Sequence, residues 1–387
     1  MDAVLVSLGI AAVLLALHPF VSYPLSLMAL ARRIAHPQLG VDASIDPPAP
    51  PQMSFCICVC AYNEERVIRR KAENLLSLRR EIPNLEVLVY VDAADDRTVR
   101  RLAPYARDFR IYVGNRRLGK TSGMKHLVSM TNASIVIFTD ANVMLDARSL
   151  RNLRRHFADP AVGCVCGHLR YVNAAESAAA ATGSLYWRLE ESIKRMETAS
   201  GSVMGADGSL FAIRRELFDP PPDHIIDDMF VSFRILCRGY RIVQAADVVA
   251  YEESVASTRE EFARKTRIAC QGINAHRLLW PQLRRQGRLN VYKYISHKYL
   301  RWLSIYFFMA GDGLILAGLA DAGCAGLTEV LVAAQLAIVV LGGGFGLRPF
   351  SIAWNFLIAL AGAGFGVLRA GRGDHYRTWT PAASIRR

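Results

Sequence analysis

The stretch that decides the fold is MSFCICVCAYNEERVIRRKAENLLSLRREIPNLEVLVYVD, residues 53–92. It begins with an apolar run typical of a buried strand and continues as an amphipathic helical pattern over residues 64–78. It ends with a second apolar run that stops at Asp92. A strand, a helix and another strand in this order predict two parallel strands joined by a helix.

The same alternation continues to residue 255 or so. Apolar runs at residues 110–114 and 134–140 predict two more strands, and residues 119–130 between them fit a helix. We therefore expect an α/β domain with a mostly parallel sheet flanked by helices. Polar residues stand where the strands end, at Asn63, Asp92 and Asp140. Ligands of open α/β sheets bind beyond the carboxyl ends of the strands, so we expect the functional site there.

The two ends of the chain are more apolar than this domain. Hydrophobic residues make up 52% of the 387 residues and the mean hydropathy is +0.18, which is too apolar for an ordinary soluble enzyme. Residues 3–31 carry no charge and are long enough to cross a bilayer. Arg32 and Arg33 follow, which predicts an external N-terminus and a cytoplasmic domain after it. Asp2, with no Lys or Arg nearby, argues against a cleaved signal peptide.

Three further apolar segments, at residues 302–320, 330–347 and 349–368, follow a basic and partly helical region that we expect to lie on the membrane surface. Three crossings would place the Arg-rich tail outside, against the positive-inside rule, so the third segment is either a crossing or an interfacial segment. We expect Asp312 to face protein rather than lipid. His276 and His297 are either contacts to lipid phosphate or plain interface side chains.

These patterns divide the chain into six parts. They are an N-terminal transmembrane anchor at 1–33, a Pro-rich linker at 34–52, a catalytic domain at 53–258, a basic membrane-interface region at 259–301, membrane-embedded segments at 302–370 and an Arg-rich tail at 371–387. The net charge is +13, and the basic excess clusters beside the membrane segments. We therefore expect membrane lipids and phosphate-bearing substrates as partners, and no nucleic acid.

The eight cysteines show no metal-binding spacing. Cys56, Cys58 and Cys60 alternate within the first strand and so share one face of it. We expect them to be small buried hydrophobic side chains in a reducing compartment.

Three acidic motifs follow strands or loops: Asp92 to Asp96, Asp140-Ala-Asn142, and Asp227-Asp228. A nucleotide diphosphate does not bind among bare carboxylates unless a hard cation neutralises them. Mg²⁺ or Mn²⁺ takes one or two carboxylates and shares its other positions with phosphate oxygens. Each motif alone is also typical of a turn at a strand end. Three of them in order on an α/β pattern predict binding of a metal and a diphosphate.

In their order along residues 53–302, these motifs resemble the family 2 glycosyltransferases of the GT-A fold, which are Rossmann-like. AYNEE resembles the first-strand signature that lines the nucleotide pocket, VDAADDRT resembles DGSxDxT, and RRLGKTSGMK resembles NxGKxxALN. The resemblance implies a contact from Asp92 to the base or ribose, with Asp96 supporting its loop. It places these residues at the donor: Ala61, Tyr62, Asn63, Glu64, Asp92, Asp96 and Lys120.

The remaining motifs concern the metal, the acceptor and the base. TDAN takes the place of the family's DxD motif, so the resemblance implies Mg²⁺ or Mn²⁺ held by Asp140 and Asn142. The neutral amide is the weaker ligand, so Asp140 carries most of the charge. DDMFVSFRILCRGY resembles the (T)ED motif, which makes Asp228, beside Asp227, the implied general base. GADGSLFAIRREL resembles the acceptor-side loop and implies roles there for Gly205, Asp207 and Gly208.

One departure bears on processivity. Cellulose and hyaluronan synthases carry QxxRW before the membrane collar, and the matching positions here are Arg264, Arg267 and Ile268. We expect both arginines near the donor, where the guanidinium of Arg267 would grip the diphosphate. The missing tryptophan disfavours a long-chain polymerase and favours a single-sugar transferase.

Together, the patterns and the resemblance predict an inverting glycosyltransferase of the hexosyltransferase type in the inner or plasma membrane. It would move a sugar from a nucleotide-diphosphate sugar, with a UDP-sugar as first expectation, to a lipid-linked or growing glycan in polysaccharide synthesis. One alternative is a membrane-bound nucleotidyl- or sugar-phosphate transferase, although residues 53–70 hold no Gly-rich pyrophosphate loop. The other is an inactive scaffold subunit that keeps the fold.

Overall fold

The structure is a computed structural model, and it describes residues 2–34, 53–82, 84–172, 178–253 and 257–378, without the side chains of 178–184. The predicted linker beyond Ile34 and the predicted tail beyond Thr378 lie outside the described residues.

One sheet of eight strands forms the centre of the described chain, in the order β3-β2-β1-β4-β7-β6-β8-β5. The pairs β1–β2, β1–β4, β2–β3 and β6–β8 are parallel, and β4–β7, β6–β7 and β5–β8 are antiparallel. The strands are β1 (Phe55–Ala61), β2 (Glu86–Val91), β3 (Arg110–Val113), β4 (Ile135–Asp140), β5 (Met144–Leu145), β6 (Val162–Tyr171), β7 (Leu210–Arg214) and β8 (Arg241–Glu252).

The described residues also form thirteen α-helices. They are α1 (Asp2–Leu17), α2 (Ser22–Ile34), α3 (Ile68–Glu81), α4 (Thr98–Leu102), α5 (Lys120–Ser129), α6 (Ser149–His156), α7 (Ala178–Ala199), α8 (Asp227–Cys237), α9 (Thr258–Leu283), α10 (Arg288–Tyr294), α11 (Leu300–Asp321), α12 (Ala325–Ala337) and α13 (Phe350–Gly371). A π-helical turn, Ile295–Tyr299, joins α10 to α11, and a second one, Ile338–Gly344, extends α12.

Alternation along β1 builds a hydrophobic core on each face of the sheet. Cys56, Cys58 and Cys60 pack in the core shared with α5, α8 and α9, whereas Ile57 and Val59 pack on the other face with α3. The three cysteines are buried and free, as predicted. The predicted strands and helices of residues 53–140 are all present, and the mostly parallel sheet with helices on both faces is confirmed.

Three helical stretches are long and apolar enough to cross a membrane: Arg288–Asp321, Ala325–Gly344 and Phe350–Gly371. The first apolar segment forms α1 and α2, a pair bent by 59° that is either one broken span or a re-entrant loop. Pro19 lies in the break, where its ring and missing N–H interrupt a helix. Asp312 accepts a hydrogen bond from Gln335 Nε2 at 2.7 Å, so it faces α12 as predicted.

The bent pair attaches the membrane helices to the catalytic domain. Helix α1 packs closely on α11, and a Cβ placed on Gly318 would lie 2.9 Å from the carbonyl oxygen of Asp2. This contact places Asp2 at the end of α11 that is far from the catalytic domain. After the bend, α2 reaches α7, where the Tyr23 hydroxyl donates to Glu197 Oε1 at 2.5 Å.

His297 belongs to this attachment and does not face lipid. It is fully buried, with Nδ1 2.7 Å from Glu197 Oε1 and Nε2 3.0 Å from Glu190 Oε1. His276 stacks on Tyr294 at 5.7 Å between ring centroids. Of the two alternatives for these histidines, the structure favours ordinary packing and hydrogen bonding.

Helix α13 bears on the conflict over the tail. Small residues let it pack along α9, and a Cβ on Gly366 would lie 2.8 Å from the Cβ of Ala269. The chain that follows α13 returns to the catalytic domain, where Gln271 Nε2 donates to the carbonyl of Tyr376 at 2.9 Å. The tail as far as Thr378 therefore lies on the side of the catalytic domain, which favours an interfacial α13 over a third crossing.

Helix α9, which begins the predicted membrane-interface region, is partly buried. Its residues from Ala269 to Ala275 are buried, since the helix packs between α8 and α13. Its basic residues therefore lie beside the catalytic domain as well as beside the membrane helices.

Candidate functional site

The polar residues predicted at the strand ends meet at one edge of the sheet. Strands β1, β2 and β4 are parallel and end there, and β8 ends at the same edge after two antiparallel steps through β7 and β6. Strand β7 is antiparallel to β4, so the loop that precedes it also lies there. This topology brings Asp140, Gly208 and Glu252 together from three distant parts of the sequence.

Lys120 lies at the centre of this edge. Its Nζ is 2.7 Å from Asp140 Oδ1, 3.7 Å from Asp227 Oδ2 and 3.4 Å from the carbonyl oxygen of Gly208. Burial acts to lower the pKa of Lys120, but the charges of Asp140 and Asp227 outweigh it and hold the pKa above its ordinary value. The structure thus joins predicted donor, metal, acceptor and base residues around one ammonium group.

The two adjacent aspartates occupy the first turn of α8, where the helix dipole favours negative charge. Asp228 Oδ1 accepts the N–H of Met229 at 2.6 Å, whereas Asp227 Oδ2 is buried without a hydrogen bond. Burial and the charge of Asp227 raise the pKa of Asp228 to about 7, with Lys120 acting in the opposite direction. A carboxyl group with this pKa is suited to accept a proton near neutral pH.

Gly208 leaves the space that this arrangement needs. A Cβ at this position would lie 2.9 Å from Lys120 Nζ and 3.1 Å from Asp228 Oδ2. The acceptor-side loop to which it belongs is held by Lys194, whose Nζ lies 2.7 Å from Asp207 Oδ2. Gly205, in the same loop, has a positive φ of 88°, which glycine adopts without strain.

Two residues near the centre, the partly buried Glu252 and the buried Lys194, were not predicted. Glu252 ends β8, and Asn142 Nδ2 donates to its Oε1 at 2.8 Å. Burial and the charge of Asp140 raise the pKa of Glu252 to about 7. Its place at a strand end was a signal available in the sequence. Lys194 carried no signal, because a lysine in the middle of a helix usually faces solvent.

The oxygen atoms at this edge suit a hard divalent cation. Asp140 is partly exposed, and Asn142 and Glu252 lie beside it. Among the described residues, no three acidic, His or Cys side chains form a complete metal-binding group. Mg²⁺ and Mn²⁺ need only one or two carboxylates when phosphate oxygens supply the rest, so the residues fit such an ion.

Asp92 holds a loop rather than presenting an exposed carboxylate. It is fully buried, and its oxygens accept the N–H groups of Leu118 and Gly119 at 2.8 and 2.9 Å. These bonds fix the loop that leads to Lys120, and the contact expected from Asp92 to the base or ribose stays a prediction.

The loops after β1 and β2 are tied together. Asp96 accepts the N–H groups of Thr98 and Glu65 at 2.8 and 3.0 Å, which is the support expected of it. Asn63, with a φ of 53°, donates from Nδ2 to Asp95 Oδ1 at 2.6 Å. Ala61 ends β1, Glu64 is buried, and the guanidinium of Arg117 covers the ring of Tyr62 at 3.7 Å.

The two arginines of α9 have different surroundings. Arg264 is engaged by Glu261 through two hydrogen bonds of 2.8 and 3.1 Å, and its expected role at the donor stays a prediction. Arg267 donates to Gln271 Oε1 at 3.2 Å and lies within the field of Asp227, Asp140 and Asp228. This position suits Arg267 to a diphosphate at the centre, and its contact with the donor stays a prediction.

A cavity of about 680 Å³ lies at the opposite edge of the sheet, beside Ser54, Glu86 and Arg110. This cavity contains none of the residues that converge on Lys120. The converging charges, and not the size of a cavity, locate the site.

A profile of the family described as glycosyltransferase like family 2 matches residues 50–271. The match covers more than half of the chain, and the chain belongs to this family of glycosyltransferases.

Two curated relatives are similar to part of the chain. It is 26% identical to the O-antigen chain rhamnosyltransferase of Salmonella typhimurium over 34% of this chain and 45% of that protein. It is 25% identical to the poly-beta-1,6-N-acetyl-D-glucosamine synthase of Staphylococcus aureus over 48% of this chain and 46% of that protein. The chain spans about half the length of the curated relatives it matches.

The solved structure of the mannosyltransferase PcManGT from Pyrobaculum calidifontis, in complex with GDP-Man and Mn²⁺, is similar over 96% of this chain and 99% of that chain. Its TM-score is 0.70 and the sequences are 20% identical. The likeness shows the fold, and the chain has the GT-A fold that its motifs predicted.

Proposed function

We propose that this chain is a membrane-bound, inverting glycosyltransferase that moves a sugar from a nucleotide-diphosphate sugar to a lipid-linked or growing glycan. The observation that carries the proposal is the convergence of Lys120, Asp140, Asp227 and Asp228 at the carboxyl edge of the sheet. A cation beside several acids, one with a pKa of about 7, supplies both charge stabilisation and a base.

The reaction is a direct displacement at the anomeric carbon. Asp228 accepts the proton of the acceptor hydroxyl, while Lys120 and Arg267 stabilise negative charge on the departing diphosphate. Asp140, with Asn142 and Glu252 beside it, would hold Mg²⁺ or Mn²⁺. The bound ion would supply further neutralisation of the diphosphate. A single displacement inverts the configuration at the anomeric carbon.

The membrane helices support an acceptor that is carried by a lipid. The cluster of Glu190, Glu197 and His297 joins α7 of the catalytic domain to the turn that leads into α11. We propose that the catalytic domain is cytoplasmic, where nucleotide sugars are made, and that α9 and α13 lie at the membrane surface beside it. The names of the relatives, a rhamnosyltransferase and a polysaccharide synthase, support a role in cell-surface polysaccharide synthesis.

A donor screen tests this function. Purified full-length protein in membrane mimic is incubated with Mn²⁺ or Mg²⁺, a lipid extract and a panel of UDP-, GDP- and dTDP-sugars, and nucleoside diphosphate release is measured. We expect release from one class of donor, and loss of release in Asp140→Ala. Release of nucleoside monophosphate instead would indicate the alternative, a sugar-phosphate transferase.

A further inference from the structure

The chain that follows α13 lies against the catalytic domain. We call residues 374–378 the C-terminal strap. Two amide side chains of α9 hold its backbone: Gln271 Nε2 donates to the carbonyl of Tyr376 at 2.9 Å, and Asn274 Nδ2 donates to the carbonyl of Asp374 at 3.0 Å. Because these bonds go to the main chain, they fix the path of the strap.

The strap touches the loop that presents Lys120. The carbonyl of Arg377 occupies the position where a side chain at Gly119 would begin. Gly119 has a φ of 94°, and its N–H donates to Asp92 Oδ2. The strap therefore packs against Gly119, which contacts Asp92 and directly precedes Lys120.

The strap also touches the loop before the two aspartates of α8. The rings of His375 and His224 lie 4.6 Å apart. This loop is tied to α5 by a hydrogen bond of 3.1 Å from the Thr121 hydroxyl to the carbonyl of Ile225. The strap thus contacts three elements that form the site: the loop before α5, the loop before α8 and helix α9.

Gln271 connects the strap to the charged centre. Its Oε1 accepts from Arg267 Nη1 at 3.2 Å while its Nε2 donates to Tyr376. The side chain is only 8% exposed. An amide can accept and donate at the same time, whereas a carboxylate cannot donate and an ammonium cannot accept.

We propose that the C-terminal strap forms one wall of the site for the nucleoside diphosphate of the donor, and that Gln271 is a positioning residue that sets Arg267 and the strap together. The inference rests on the proposed function, because it assumes a nucleotide-sugar donor. The exposed side chain of Arg377 adds a positive charge to this wall, which matches an anionic diphosphate.

The first test separates donor binding from chemistry. Gln271→Ala removes both hydrogen bonds, and a hydrogen bond to a charged group is worth enough to raise the donor KM about tenfold. The acceptor KM should stay unchanged, and kcat should fall less than the donor KM rises. A purely structural role would lower the melting temperature and leave the donor KM unchanged, which would overturn the inference.

A matched pair of surface variants guards against misfolding of Gln271→Ala. Arg377→Ala removes the exposed charge of the strap, and Arg372→Ala removes another exposed charge outside it. We expect Arg377→Ala to raise the donor KM about fivefold, as for a partly screened ion pair, and Arg372→Ala to leave it unchanged. Equal effects of the two variants would overturn the inference.

Protection from trypsin gives a readout independent of turnover. The nucleoside diphosphate released in the donor screen should slow cleavage after Arg377 and leave cleavage after Arg372 unaffected. An unchanged rate of trypsin cleavage after Arg377 at saturating nucleotide would overturn this inference and leave the proposed function standing. If the wild-type protein uses no nucleotide sugar in the panel, the proposed function fails first and the inference fails with it.

Discussion

Asp228→Asn should lower turnover and, at the same time, stabilise the fold, so this one substitution tests two expected effects. The asparagine keeps the size of the side chain and an oxygen that accepts the N–H of Met229. It cannot take a proton from the acceptor hydroxyl. Since a positioned general base typically contributes about 10² to 10⁴ in rate, we expect turnover to fall by roughly that factor. The donor KM should change little, because Lys120 and Arg267 remain.

The same substitution should not destabilise the fold. The pKa of Asp228 is raised from 3.8 to about 7, so the folded chain holds a proton that the unfolded chain releases between these values. Ionised Asp228 therefore costs stability increasingly as the pH rises through this window, and the cost is complete above it. Removing the charge should stabilise the fold by about 1–2 kcal/mol at pH 8, after allowance for solvent and relaxation.

The assay compares turnover and melting temperature for Asp228→Asn and a matched variant, Asp227→Asn, at pH 8. Asp227→Asn removes a carboxylate that lies 3.7 Å from Lys120, so it should bring no comparable gain in stability. If Asp228 only stabilised the start of α8, asparagine would serve about as well and turnover would stay near normal. Near-normal turnover in Asp228→Asn, with the loss in Asp227→Asn, would refute the choice of base.

Three further outcomes are expected. EDTA should abolish transfer, Mn²⁺ should restore it in the wild type, and Asp140→Ala should stay inactive with Mn²⁺; full activity in EDTA would exclude the metal. Gly208→Ala should lower turnover about tenfold or more with little change in melting temperature. The reason is that its Cβ would meet the flexible ends of the Lys120 and Asp228 side chains. Kinetics equal to those of the wild type would contradict this. Reporters fused after residue 50 and after Thr378 should both read as cytoplasmic, and opposite readings would show that α13 crosses the membrane.

The sheet was predictable because its pattern is local. The apolar runs and the helix between them follow from residues 53–140, and the acids at strand ends follow from the rule that such edges bind ligands. The strand-end rule indicated Asp140, whereas Lys120 and Gly208 were expected only from the resemblance to the family motifs. Their convergence on one ammonium group required the fold, because they lie on three different elements.

The rest depended on contacts between distant residues. The attachment of the membrane helices rests on His297 and Glu190, which are 107 residues apart, and the strap rests on Gln271 and Tyr376, which are 105 apart. No local pattern marks such pairs. The bend in the first apolar segment is different, because Pro19 was a readable signal for a break in the helix.

The most direct test of the central claim is the anomeric configuration of the product. Transfer from the donor selected by the panel is followed by NMR, and the configuration of the transferred sugar is read from the coupling constants at its anomeric carbon and proton. A single displacement with Asp228 as base predicts inversion relative to the nucleotide sugar. Retention of configuration would contradict the account, because it requires two displacements or a different arrangement of the reacting groups.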